Sequence, residues 1–144
     1  MIAVDTNILV YAHRRDSQFY RAASMTVRGL ADQGQTWAIP WPCIAEFFSV
    51  ATNPRIYDPS STVTQAVEQI DIWLEAPTVV LLGEAMGTWP LLRNLLATAN
   101  VVGPMVYDAR IAALCVAHGV RELWTADRDY GRFPGLRTRN PLVA

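Results

Sequence analysis

Four short strand candidates, spread along the whole chain and separated by stretches of helical pattern, constrain this sequence more than any other feature. They fall at residues 2–4, 37–39, 78–82 and 122–125. Each is too short to be a buried helix, which needs about ten residues or more. The run at 78–82 is continuously apolar after its first residue, as in a strand buried on both faces of a parallel sheet. Between these runs the apolar spacing is helical. Residues 8–13 form a turn or two. Ser17 can cap a longer helix to about residue 33, where Gly34 ends it. Pro42 suits the first turn of a helix that carries Cys43, Ile44, Glu46, Phe47, Phe48 and Val50. Ser61 or Thr62 can cap another to about residue 75, and helical pattern covers 85–99 and 107–118. Residues 127–134 read as a loop, and 136–138 as a last edge strand. Strand and helix alternate, so the expected fold is α/β: a three-layer α/β/α sandwich around a central, mostly parallel sheet. No linker, repeat or second composition interrupts residues 1–144, which read as one domain.

Half of the chain is hydrophobic and only 17% is charged, enough apolar material for a sizeable core and too little charge for disorder. Trp37, Trp41, Trp73, Trp89 and Trp124 are expected mostly inside it. The N-terminal apolar run is broken by Asp5 and has no basic lead, so no secretory signal is expected. No stretch approaches the length needed to span a bilayer. Cys43 and Cys115 lie apart in apolar surroundings and read as buried free thiols. These features together predict a soluble, cytoplasmic protein.

The acids carry the chemistry. In an open parallel sheet, ligands collect beyond the carboxyl ends of the strands. Asp5 follows the first strand and Asp127 follows the fourth. Glu46 lies in the first turns of the helix after the second strand, and Asp108 opens the helix before the fourth. Each also has an ordinary structural reading. Asp5 can cap a helix, Asp108 can face a helix dipole, and Asp127 and Asp129 can sit in a polar turn. Glu46 borders an apolar face, where a carboxylate needs a partner or a metal. Their coincidence at one sheet edge is what points to function. Clustered carboxylates repel unless a cation neutralises them. Hard oxygen ligands without nearby His or Cys select Mg²⁺, with Mn²⁺ as a substitute, over zinc. His13 and His118 are isolated and read as structural or surface residues.

The formal net charge is −1, yet without Asp5, Glu46, Asp108, Asp127 and Asp129 eight acids face twelve arginines. An acidic pocket in a mildly basic body suits an anionic substrate. All twelve basic residues are arginine. Genomic base composition accounts for that, and guanidinium groups also suit phosphate. Arg14, Arg15 and Arg55 are candidates for phosphate contact, while Arg110 and Arg128 are placed to pair with the site acids.

Four segments resemble the PIN-domain family, and more narrowly its VapC-type toxins from bacterial type II toxin–antitoxin pairs. Ile2-Ala3-Val4-Asp5-Thr6-Asn7-Ile8-Leu9-Val10 is similar to the family's opening: a hydrophobic run, then Asp, Thr or Ser, and Asn. Trp41-Pro42-Cys43-Ile44-Ala45-Glu46-Phe47 resembles the segment carrying its Glu. Tyr107-Asp108-Ala109-Arg110-Ile111-Ala112-Ala113-Leu114-Cys115 resembles its third acidic segment. Leu123-Trp124-Thr125-Ala126-Asp127-Arg128-Asp129-Tyr130 resembles its terminal Thr-x-Asp-x-Asp-Phe motif, with Tyr130 in place of the usual Phe. The segments occur in the family's order over nearly the whole chain.

The resemblance implies Mg²⁺-dependent RNA cleavage, a homodimer and a cognate antitoxin. Asp5 and Asp108 would be the principal metal ligands, Glu46 and Asp127 would complete the site, and Asp129 would be an outer member. Asn7 and Thr125 would orient the acids. An apolar patch within residues 42–75 would suit the groove that receives an antitoxin helix. The alternative is a catalytically inactive PIN-fold module that binds protein or RNA. Two other enzyme types on similar sheets fit less well. A response-regulator receiver relies on a lysine, which this chain lacks. A haloacid-dehalogenase-type phosphatase wants Asp-x-Asp where this chain has Asp5-Thr6-Asn7.

Overall fold

Each of the first three strands feeds an α-helix, and all the strands run parallel to their neighbours, as the alternation requires. The computed structural model describes residues 1–143. The order is β1 (Ile2–Val4), α1 (Thr6–His13), α2 (Tyr20–Asp32), β2 (Trp37–Pro40), α3 (Trp41–Ala51), α4 (Val63–Glu75), β3 (Val79–Leu82), α5 (Thr88–Thr98), α6 (Val106–Ala117), β4 (Glu122–Trp124) and β5 (Thr138–Arg139). Among the described residues the sheet has five strands, ordered β3-β2-β1-β4-β5, and every pairing is parallel. Ile2 pairs with Trp37 on one side and with Glu122 on the other. Six helices flank the sheet; α1 packs on α2 and α3, and α5 on α6. This is the expected α/β sandwich.

Strand β1 is central. From it the chain steps outward through β2 to β3, then returns to lay β4 on the opposite side of β1. Order reverses between β1 and β4, and such a reversal opens a crevice at the carboxyl ends of the strands. Asp5 and Thr125 stand at those two ends. The core beneath is formed by fully buried Val4, Ile8, Leu9, Trp37, Ile39, Phe47, Leu114 and Leu123. Both cysteines are free and buried in it. No described helix is long and apolar enough to cross a membrane.

Several local expectations are corrected. Ser17 does not cap α2, which starts at Tyr20. Its hydroxyl instead accepts from the Phe19 N–H at 3.1 Å and closes the preceding turn. Thr62 caps α4, in a reciprocal box with Gln65. Strand β3 is apolar throughout but only partly buried, because it lies at the sheet edge. Residues 128–132, expected as loop, wind into a short 3₁₀ helix capped by Asp127. The last strand begins at Thr138, where its pairing with Leu123 sets it. Of the five tryptophans only Trp37 and Trp73 are buried; Trp41 and Trp89 are about half exposed.

Phe47 locks the helices over the sheet. Its ring meets Trp73 edge-on at 4.8 Å and His13 at 5.2 Å, with no exposure to solvent. Phe47→Ala is expected to cost about 3–5 kcal/mol of stability, read as a lowered urea midpoint. A midpoint equal to wild type would show that the cluster is not central to the fold.

Candidate active site

The site begins where β1 ends. Asp5 keeps an extended backbone, and its carboxylate accepts from the Thr6 N–H at 2.8 Å, capping α1. Asp5 therefore caps a helix, and the same carboxylate also lines a cavity. The side chain is only 4% exposed. Its Oδ2 accepts from the Thr125 hydroxyl at 2.7 Å and from Asn7 Nδ2 at 3.3 Å. Its Oδ1 also faces the Cys43 thiol at 3.7 Å and the Tyr130 hydroxyl at 3.5 Å.

Asn7 and Thr125 join the ends of β1 and β4. Asn7 Nδ2 donates to the Thr125 hydroxyl at 3.1 Å, and Asn7 Oδ1 accepts from the Ala126 N–H at 3.1 Å. The Thr125 hydroxyl in turn accepts from the Asp127 N–H at 3.0 Å, which fixes the turn leaving β4. Asp127 then takes the Asp129 N–H at 2.8 Å.

Glu46 comes from the second turn of α3, set in place by the β2 strand and the Trp41-Pro42 helix start. The Thr6 hydroxyl donates to its Oε2 at 2.7 Å. Thr6 is a site residue that sequence reasoning missed. Its only signal is a hydroxyl between Asp5 and Asn7, and its partner lies forty residues away. Asp108 enters from the first turn of α6 and is half-buried.

Asp5, Glu46, Asp108 and Asp127 thus line one cavity of about 330 Å³, together with Thr6 and Asn7. Its other wall includes Tyr11, Val50, Ile56 and Tyr57. Asp129 is not brought in: its side chain is 68% exposed and lies 3.9 Å from Arg132. The arginine expectations also change. Arg110 pairs with Glu84 rather than with a site acid. Arg14 is held by Asp16, by Ser61 and by the Pro59 carbonyl, and stacks on the Tyr57 ring. Arg15, Arg55 and Arg128 remain exposed. His13 is tied between Ser61 and Gln69, and His118 bonds the Gly83 carbonyl, so both are structural as expected.

Electrostatics follow from burial. Asp5 is raised from 3.8 to about 6, chiefly because burial penalises its charge, with the Glu46 and Asp108 carboxylates adding to the shift. The Thr125 and Thr6 hydrogen bonds oppose it. Asp108 is also raised, first by burial and then by Asp127. Burial, reinforced by Asp5, pushes the Tyr130 phenol far up, so it stays a donor. Among the described residues no three His, Cys, Asp or Glu side chains already form a group able to hold a metal ion. The donor set still fits a hard divalent cation. It offers carboxylate oxygens from four elements around one cavity, at a site where the acids raise each other's affinity for positive charge.

The family model of the PIN domain matches residues 2–136. The chain is 34% identical over 139 residues to Ribonuclease VapC48 of Mycobacterium tuberculosis, covering 96% of this chain and 95% of that protein. Ribonuclease VapC43 of the same organism is 32% identical over 142 residues, covering 99% of this chain and 96% of that protein. Among solved structures, VapBC2 from Rickettsia felis bound to a promoter DNA fragment superposes with a TM-score of 0.68 at 24% identity, over 97% of this chain and 98% of that one. The chain belongs to the PIN-domain family, and its relatives within it are VapC ribonucleases.

The raised Asp5 makes stability pH-dependent. The folded chain holds a proton that the unfolded chain has released between pH 3.8 and about 6. Folding stability therefore falls as pH rises through that window, by about 2–3 kcal/mol when no cation is present. Asp5→Asn should lack this slope. Urea unfolding of both proteins in EDTA between pH 4 and 7 reads the difference, and parallel curves would refute it.

Proposed function

We propose that this protein is a metal-dependent endoribonuclease acting as the toxin of a toxin–antitoxin pair. The observation that carries the reading is the convergence of Asp5, Glu46, Asp108 and Asp127 on one cavity at the carboxyl edge of a parallel sheet. The relatives named ribonucleases support the reaction class.

Asp5 and Asp108 would be the principal ligands of Mg²⁺ or Mn²⁺, with Glu46 and Asp127 completing the site. Asp129, at the rim, would act at most as an outer member. When bound, the metal supplies the charge that activates water and offsets the charge developing on a phosphodiester. The chain's own residues supply the order. Thr125 and Asn7 fix both the tilt and the proton-free face of Asp5, and Thr6 turns the Glu46 carboxylate into the cavity. Tyr11, Ile56 and Tyr57 form an apolar wall opposite the acids, which limits water around a bound strand.

The partner calls belong to the same reading. A cognate antitoxin is supported by the likeness to VapBC2 of Rickettsia felis, a complex bound to a fragment of promoter DNA. Here α4 leaves Val63 and Val67 exposed one turn apart on one face, an apolar spot within the expected segment that suits an antitoxin helix. A homodimer and a cytoplasmic location complete the proposal, and residues 1–144 would act as one domain.

Purified protein should cleave mixed RNA, lose that activity in EDTA and regain it with Mg²⁺. Asp108→Asn should reduce cleavage at least about 100-fold while retaining native circular dichroism. Cleavage that ignores chelation, or an active Asp108→Asn protein, would leave the inactive binding module as the better reading. RNA affinity should also fall steeply with salt if Arg15, Arg55 and Arg128 meet phosphates; a flat dependence would remove them from the interface.

A further inference from the structure

We propose that Tyr130 is a positioning residue of the acid cavity: its buried phenol hydroxyl donates to Asp5 beside Asp108 and holds that pair ready for a divalent cation. The inference rests on the metal-dependent reading above and adds a residue to it. Tyr130 lies in the 3₁₀ turn after β4 and is 1% exposed. Its ring packs against Phe133 at 6.0 Å, a contact that a phenylalanine would make equally well. The hydroxyl is what needs explaining, because a buried hydroxyl without partners is costly. It donates to Asp5 Oδ1 at 3.5 Å and lies close enough to Asp108 to oppose the rise that burial gives that carboxyl. These two acids come from opposite halves of the chain.

The choice of group has a physical logic. Two neighbouring carboxylates repel, and something must offset that before a cation arrives. An arginine or lysine would do so, but its charge would compete with the metal. A neutral donor eases the repulsion and orients the oxygens without occupying the cation's place. Asp5 already receives hydrogen bonds from Thr6, Asn7 and Thr125. Among the described residues no side chain within hydrogen-bond distance donates to Asp108, and the neutral Tyr130 hydroxyl beside it is the donor that opposes the rise burial gives it.

Tyr130→Phe tests this, because the ring and its packing stay. Mn²⁺ binding is measured calorimetrically on wild type, Tyr130→Phe and Asp5→Asn, with thermal unfolding in EDTA alongside. Tyr130→Phe should unfold cooperatively near the wild-type temperature and bind Mn²⁺ about tenfold more weakly. Its RNA cleavage should return to near the wild-type rate when Mg²⁺ is raised, a rescue that a purely structural defect would not allow. Equal Mn²⁺ affinity in wild type and Tyr130→Phe overturns the proposal and leaves the metal reading standing. So does a Tyr130→Phe protein that fails to fold, or one whose activity excess Mg²⁺ does not restore. If wild type itself takes up no Mn²⁺, the metal reading falls and the role of Tyr130 falls with it.

Discussion

The buried carboxylate of Asp5 is the point on which the rest of this structure turns. A charge this far from water is tolerable only if hydrogen bonds satisfy its oxygens. Here the donors come from both sides of the central crossover: Thr6 and Asn7 from the start of α1, Thr125 from the end of β4. The same bonds that solvate Asp5 therefore clamp β1 to β4 at the place where strand order reverses. Removing that clamp would loosen the crevice itself, so fold and site share one set of interactions.

Around this anchor the protein accumulates negative charge that it does not neutralise. Glu46 and Asp108 both push Asp5 toward protonation, and Asp127 does the same to Asp108. Every donor described within the cluster is neutral: hydroxyls, an amide, a thiol and backbone N–H groups. The arginines that could have quenched the charge are engaged elsewhere, Arg110 on Glu84 and Arg14 on Asp16. Gathering unneutralised carboxylates in this way costs folding stability, as is common at functional sites.

Outside the cavity the molecule divides by polarity. The exposed arginines Arg15, Arg55 and Arg128 lie outside the acidic cavity. The exposed apolar residues of α4 and the half-exposed Trp41 and Trp89 lie beyond the acids.

Much of this was legible in the residues alone. Short apolar runs alternating with helical periodicity determined a parallel sheet flanked by helices, because both periods are set locally by backbone geometry. Asp5, Glu46, Asp108 and Asp127 could be placed at the strand ends for the same reason. Tertiary structure alone decided the rest. It put β3 at an edge, left Asp129 outside the cavity, turned Arg110 to Glu84 and joined Thr6 to Glu46. It also brought the Tyr130 hydroxyl, a mild departure in the motif, to Asp5. Each of these depends on which distant segments meet and on how side chains turn once packed, and no local period of the sequence encodes either.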